Sequence, residues 1–189
     1  MLTIYVSPYN QQILTADQKS MVVRDTFIYT KGKSLPFQDC QLPINIDDVE
    51  IVVLRRFLGN KTLRLPSQVK SAILYFLRNY HKEAIASFDC YAFVNLINDH
   101  EVHSVRHMLA FWEIYKKPPL PHVGAILFYC SNDGEFHHAA VYIGSGLYIS
   151  VYGAGGHLEV STHKDMMRDF KATSVYLACP RKNNKKGVA

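Results

Sequence analysis

The apolar residues of this chain change period partway along, and that change limits what it can fold into. In "SQVKSAILYFLRNYHKE", Val69, Ile73, Phe76, Leu77 and Tyr80 recur at helical spacing. From residue 121 onward the spacing becomes two, in "VGAILFYC", "HAAVYIG", "GLYISVYG", "HLEVST" and "SVYLACP". Those five segments predict strands, and "GSG" at 144–146 predicts a hairpin turn between the second and third. Helices followed by a run of closely connected strands predict an α+β protein with an antiparallel sheet.

The spacing predicts a helix over about 67–82, following Pro66, with Ser67 as its N-cap. A second helix is expected in "DCYAFVNLINDH", capped by Asp89 and carrying Tyr91, Val94 and Asn98 on one side. A third is expected over 103–116, ended by "KKPPLP". Before residue 60, "LTIYV", "MVVRDTFIYT" and "VEIVVLRRFL" are rich in β-branched and aromatic residues and predict strands. The expected organisation is a β-rich N-terminal extension or small subdomain at 1–62, a main domain at 63–180 and a disordered basic tail at 181–189.

With 189 residues and 48% hydrophobic content, the chain can bury one sizeable core. Its net charge of +5 owes much to Arg181, Lys182, Lys185 and Lys186; without this tail it is close to neutral, and no nucleic-acid partner is expected. No apolar run is long enough for a membrane span. The start lacks the basic and apolar segments of a Sec signal, so the expected location is cytoplasmic as made. His100, His103 and His107 fall on one helical face, but the pattern is not HExxH and reads as a solvated face. No metal and no cofactor is expected.

Chemistry concentrates at Cys90. A thiol at a helix start meets unpaired backbone N–H groups, which stabilise the thiolate. Cys130 and Cys179 end apolar strands and Cys40 lies in a loop; none has comparable surroundings. A cysteine nucleophile needs a base, and a histidine opens the strand "HAAVYIG" downstream.

The order "FDCYAFV", "VGAILFY", "HAAVYIGSGLYIS" and "GGHLEVS" resembles the NlpC-type, papain-like cysteine peptidase and amidase superfamily over about residues 67–180. The resemblance implies helices packed on a five-stranded antiparallel sheet. It places Cys90 as nucleophile and His138 as general base, because the motif matches from that histidine onward. His138 is expected to turn toward Cys90, and His137, one residue earlier, to the opposite face. N–H groups of the first helix turn would stabilise the oxyanion, and Tyr80 stands where a supporting tyrosine often lies. The implied partner is a peptide or amide substrate: peptidoglycan fragments, or a host protein if a specialised secretion system exports the chain as an effector.

Three departures accompany the resemblance. Tyr91 follows the nucleophile where the family has a small residue, and the family's Tyr-x-x-Gly-Gly approach is replaced by "YHKEAIASFDC". Twelve positions after His138, where the family usually has histidine or another polar residue, stands Ser150. The hairpin register pairs 142 with 148, 140 with 150 and 138 with 152, making Ser150 a diagonal neighbour of the base. His157 is the alternative third residue. These departures leave two further expectations open: a non-catalytic binding module on the same fold, or a relative of lipid acyltransferases and thioesterases.

Overall fold

The computed structural model describes residues 2–6, 27–30, 33–36, 49–53, 61–79, 88–97, 112–116, 121–154 and 158–180. The strands are β1 (Leu2–Val6), β2 (Phe27–Thr30), β3 (Lys33–Pro36), β4 (Val49–Val53), β5 (Lys61–Leu63), β6 (Trp112–Lys116), β7 (Ile126–Cys130), β8 (Phe136–Gly144), β9 (Leu147–Val151), β10 (Leu158–Thr162) and β11 (Ser174–Pro180). Three helices are described: α1 (Ser67–Asn79), α2 (Cys90–Leu96) and α3 (His163–Asp169).

The main sheet is antiparallel and six-stranded, in the order β10-β9-β8-β7-β11-β6. All five strands expected after residue 121 are present. The sixth is a correction: Trp112–Lys116 lies within the segment expected to be helical, yet pairs with β11 from Tyr176↔Lys116 to Pro180↔Trp112. Burial of Trp112 against Phe128 outweighs a helical pattern that local spacing alone suggested. Residues 101–111, with His103 and His107, lie outside the described residues, as do His100 and the basic tail.

Earlier in the chain, β1 pairs in parallel with β4, β5 joins β4 antiparallel, and β2 and β3 form a two-stranded sheet. Ile51 and Leu63 are buried in the same apolar cluster as α1.

α1 begins at Ser67, the expected start, with Ser67 as its first helical residue rather than its N-cap and the Pro66 carbonyl accepting from Lys70 N–H at 3.2 Å. Its Val69, Ala72, Ile73 and Phe76 are buried, the i, i+3, i+4, i+7 stripe of a core-facing helix. α3 was not anticipated. Thr162 caps it by accepting from Asp165 N–H at 3.2 Å, and Arg168 pairs with Asp165 at 3.1 Å.

Strand alternation separates two apolar layers. Phe128, Ala139, Val141, Ile143, Ile149 and Val151 join the cluster that contains the buried residues of α1 and α2. Leu127, Tyr129, Ala140 and Tyr148 point the other way and pack with Met166 of α3 and Ala172. One helical layer therefore covers each face of β7–β9. In the β8–β9 turn, Ser145 (φ 55°) and Gly146 (φ 75°) both lie in the left-handed region, as a twist-matched two-residue hairpin requires.

Candidate functional site

Asp89 starts α2 as expected. Its carboxylate accepts from Ala92 N–H at 2.9 Å, and its carbonyl accepts from Phe93 N–H at 3.0 Å. These bonds leave the Cys90 and Tyr91 amides free to face the thiol, and both lower its pKa. Tyr91, the bulky neighbour of Cys90, folds its ring edge-on against Phe128 and donates its hydroxyl to the Phe136 carbonyl at 2.7 Å. That bond ties α2 to the start of β8.

β8 and β9 pair at Val141↔Ile149, Tyr142↔Tyr148 and Gly144↔Leu147, with a bulge beyond Tyr142. The expected 142–148 register is present. No ladder pair is formed between 138–140 and 150–152, so the two strands part below Val141. Tyr142 N–H points toward the β7 side, donating to the Ala125 carbonyl at 2.8 Å. Amides alternate along a strand, so Ala139 N–H points toward β9. It donates instead to Cys90 Sγ. The nucleophile candidate thus occupies the opening where β9 leaves β8.

His138 lies in the other layer. Its Nε2 is 2.9 Å from Ser150 Oγ, the diagonal contact expected from the register. Its ring is fully buried, stacked on Phe170 with centroids 3.6 Å apart and planes within 7°, and flanked by Tyr152 at 5.3 Å and Tyr129 at 6.0 Å. The expected facing of His138 needs correction here. Its ring lies with Ala140 and Tyr129 on the α3 side, whereas Cys90 packs with Ala139 on the α2 side. No hydrogen bond joins Sγ to the imidazole. Nδ1 is buried and has no hydrogen-bond partner among the described residues.

His137 is exposed. A β-bulge, at which Tyr129 pairs with His138 but Cys130 with Phe136, turns it outward, and its Nε2 lies 2.6 Å from Ser131 Oγ. With Asp133 and Glu135 it forms an exposed group on the β7–β8 turn whose potential ligand atoms lie within 4.8 Å of one another. The sequence reading did not single out this group.

Electrostatics keep both central groups neutral. Burial is the largest cause that pushes the Cys90 thiol up to about 12, with the Asp89 charge adding to it and the Ala139, Tyr91 and Cys90 amides opposing it. Burial alone pushes His138 down to about 3. Charging either group singly is disfavoured.

His138 and Ser150 are thus brought together on the α3 side, Cys90 lies on the α2 side of the same strand, and Tyr80 and His157 lie outside the described residues. Sequence reading missed Phe170, which covers His138, and Glu159, a buried acidic residue directly opposite Ser150 across β9 and β10. An acidic residue at an inward position of "HLEVST" was the available signal for Glu159. Among the described residues, no helix is long and apolar enough to cross a membrane. No protein-family model and no curated protein matches the chain.

Proposed function

We propose that this chain is a papain-like cysteine hydrolase of the NlpC type, cleaving an amide bond with Cys90 as nucleophile and His138 as base. The carrying observation is the orientation of His138: Ser150 occupies Nε2, Nδ1 is left without a partner, and the next residue's amide donates to Cys90 Sγ. A base must keep one ring nitrogen held and the other open toward the proton it takes.

In this reading the thiol proton passes from Sγ to Nδ1 and the thiolate attacks the substrate carbonyl. The C–N bond then breaks, the imidazolium proton leaves on the amine, and a thioester remains on Cys90. Water, deprotonated by His138, hydrolyses the thioester, and the proton returns to sulfur. Sγ and Nδ1 are not hydrogen-bonded in the free chain and lie on opposite sides of β8, so this reading requires the start of β8 to turn when substrate binds.

The substrate class is a peptide or amide: γ-D-glutamyl links in peptidoglycan fragments for an enzyme kept in the cytoplasm, or a host protein for one exported by a specialised system. A second reading, a non-catalytic binding module, is favoured by the complete burial of His138 beneath Phe170. The apolar lining also suits a thioester-forming acyltransferase relative.

Incubation with muropeptides and an acyl-amide panel, with amine release measured, separates these readings. A hydrolase releases amine, and both Cys90→Ala and His138→Ala abolish that release. Release that survives either substitution overturns the assignment. Tight binding without release identifies the module, and acyl transfer to an added alcohol identifies the acyltransferase.

A further inference from the structure

Resting on the reading of His138 as the base, we propose that Glu159 is a positioning residue which, through Ser150, selects the imidazole tautomer that leaves Nδ1 open. Ser150 is a weak orienter by itself, because its hydroxyl can either donate to Nε2 or accept from it. If it donates, the ring proton sits on Nδ1 and the base is blocked. If it accepts, Nδ1 is open, and the serine proton must point elsewhere.

Glu159 supplies that direction. Ser150 and Glu159 are directly paired across the β9–β10 ladder, so their side chains share a face with Cβ atoms about 5 Å apart. Both are buried. Glu159 is also where a chain of hydroxyls ends. Tyr152 Oη donates to Ser161 Oγ at 2.9 Å, and Ser161 Oγ donates to Glu159 Oε1 at 2.7 Å. Tyr152 in turn stands edge-on to the His138 ring. The carboxyl group therefore anchors one neighbour of the base by hydrogen bonds and faces the other across the ladder. Ser150 and Glu159 are not hydrogen-bonded in the free chain, so the carboxyl group acts through its field across the ladder. In a buried site that field favours the Ser150 proton turned away from Nε2 and stabilises the imidazolium once it forms.

The groups facing His138 are Tyr129 from β7, Ser150 from β9 with Tyr152 just beyond it, and Phe170 after α3. His163, at the start of α3, lies beyond Tyr129 with Nδ1 at 3.5 Å from its hydroxyl. Glu159 is the acidic member of this neighbourhood among the described residues.

Long-range 1H–15N spectra of the full-length protein at pH 7 read the tautomer directly. The wild type is expected to carry its proton on Nε2, and Glu159→Gln to move it substantially to Nδ1, with Glu159→Asp restoring Nε2. In parallel, Glu159→Gln is expected to slow Cys90 alkylation by iodoacetamide about tenfold, the order expected for a hydrogen bond to a charged group, with no further loss in a Ser150→Ala background. An Nδ1-protonated wild type, which needs no variant to detect, overturns the proposal. So does a tautomer unchanged in Glu159→Gln, or additive effects of the two substitutions. A thiol inert at all neutral pH values, alongside the expected tautomer shift, would instead discard the hydrolase reading and leave the positioning role intact.

Discussion

Phe170 lies flat on His138, with ring centroids 3.6 Å apart, and covers the ring on the α3 side of the sheet. The contact shields the imidazole from water. Replacing Phe170 by Ala should raise the His138 pKa from about 3 toward its ordinary 6.5, because desolvation is the cause that holds it down. NMR titration of the ring checks this. The lost packing should cost about 2 kcal/mol, less than a fully buried phenylalanine because Phe170 is half-buried.

Acid should destabilise the fold through the same ring. Above pH 6.5 the imidazole is neutral in both folded and unfolded chains, and its contribution to stability is fully present. As pH falls from 6.5 toward 3, only the unfolded chain takes up the proton, so stability is lost over that window. The loss should reach on the order of 4 kcal/mol, and His138→Gln should flatten that part of a urea-denaturation pH profile.

Thiol reactivity should separate the Cys90–His138 pair from burial alone. On the proposed pairing, a thiolate on Cys90 below pH 8 arises by transfer to His138, so wild-type alkylation should be nearly independent of pH there. In His138→Ala the rate should instead climb about tenfold per pH unit toward the thiol's pKa of about 12. Identical profiles for the two proteins would remove His138 from the chemistry.

Asp89 acts on Cys90 in two ways, and two substitutions resolve them. Asp89→Asn keeps an N-cap acceptor but removes the charge that raises the thiol pKa, so the alkaline limb of the His138→Ala profile should move to lower pH. Asp89→Ala also removes the cap and should cost about 1 kcal/mol in thermal unfolding.

Tyr91→Phe should lower stability by about 1 kcal/mol, or roughly 2–4 °C in Tm, because the Phe136 carbonyl loses its 2.7 Å donor. With α2 no longer tied to the start of β8, Cys90 alkylation should slow as well. An unchanged alkylation rate would assign Tyr91 to packing only.

The sequence by itself determined much of this protein. Period-two alternation located β7 to β11, the glycines of "GSG" marked the hairpin, and Asp89 marked the start of α2. The hairpin register followed and placed Ser150 diagonally to His138. These features rest on local geometry, which side-chain spacing encodes directly. What tertiary structure decided was of another kind. Trp112–Lys116 became a strand because β11 offered it a partner and Phe128 a surface to bury Trp112. The bulge at His137 and the end of the β8–β9 ladder at Val141 set where His138 meets Ser150. The cover of Phe170 and the placement of Glu159 opposite Ser150 depend on α3 and β10 folding back over the sheet. Alternation can say which residues share a strand face, but only the packed chain sets where strands separate and what fills the gap.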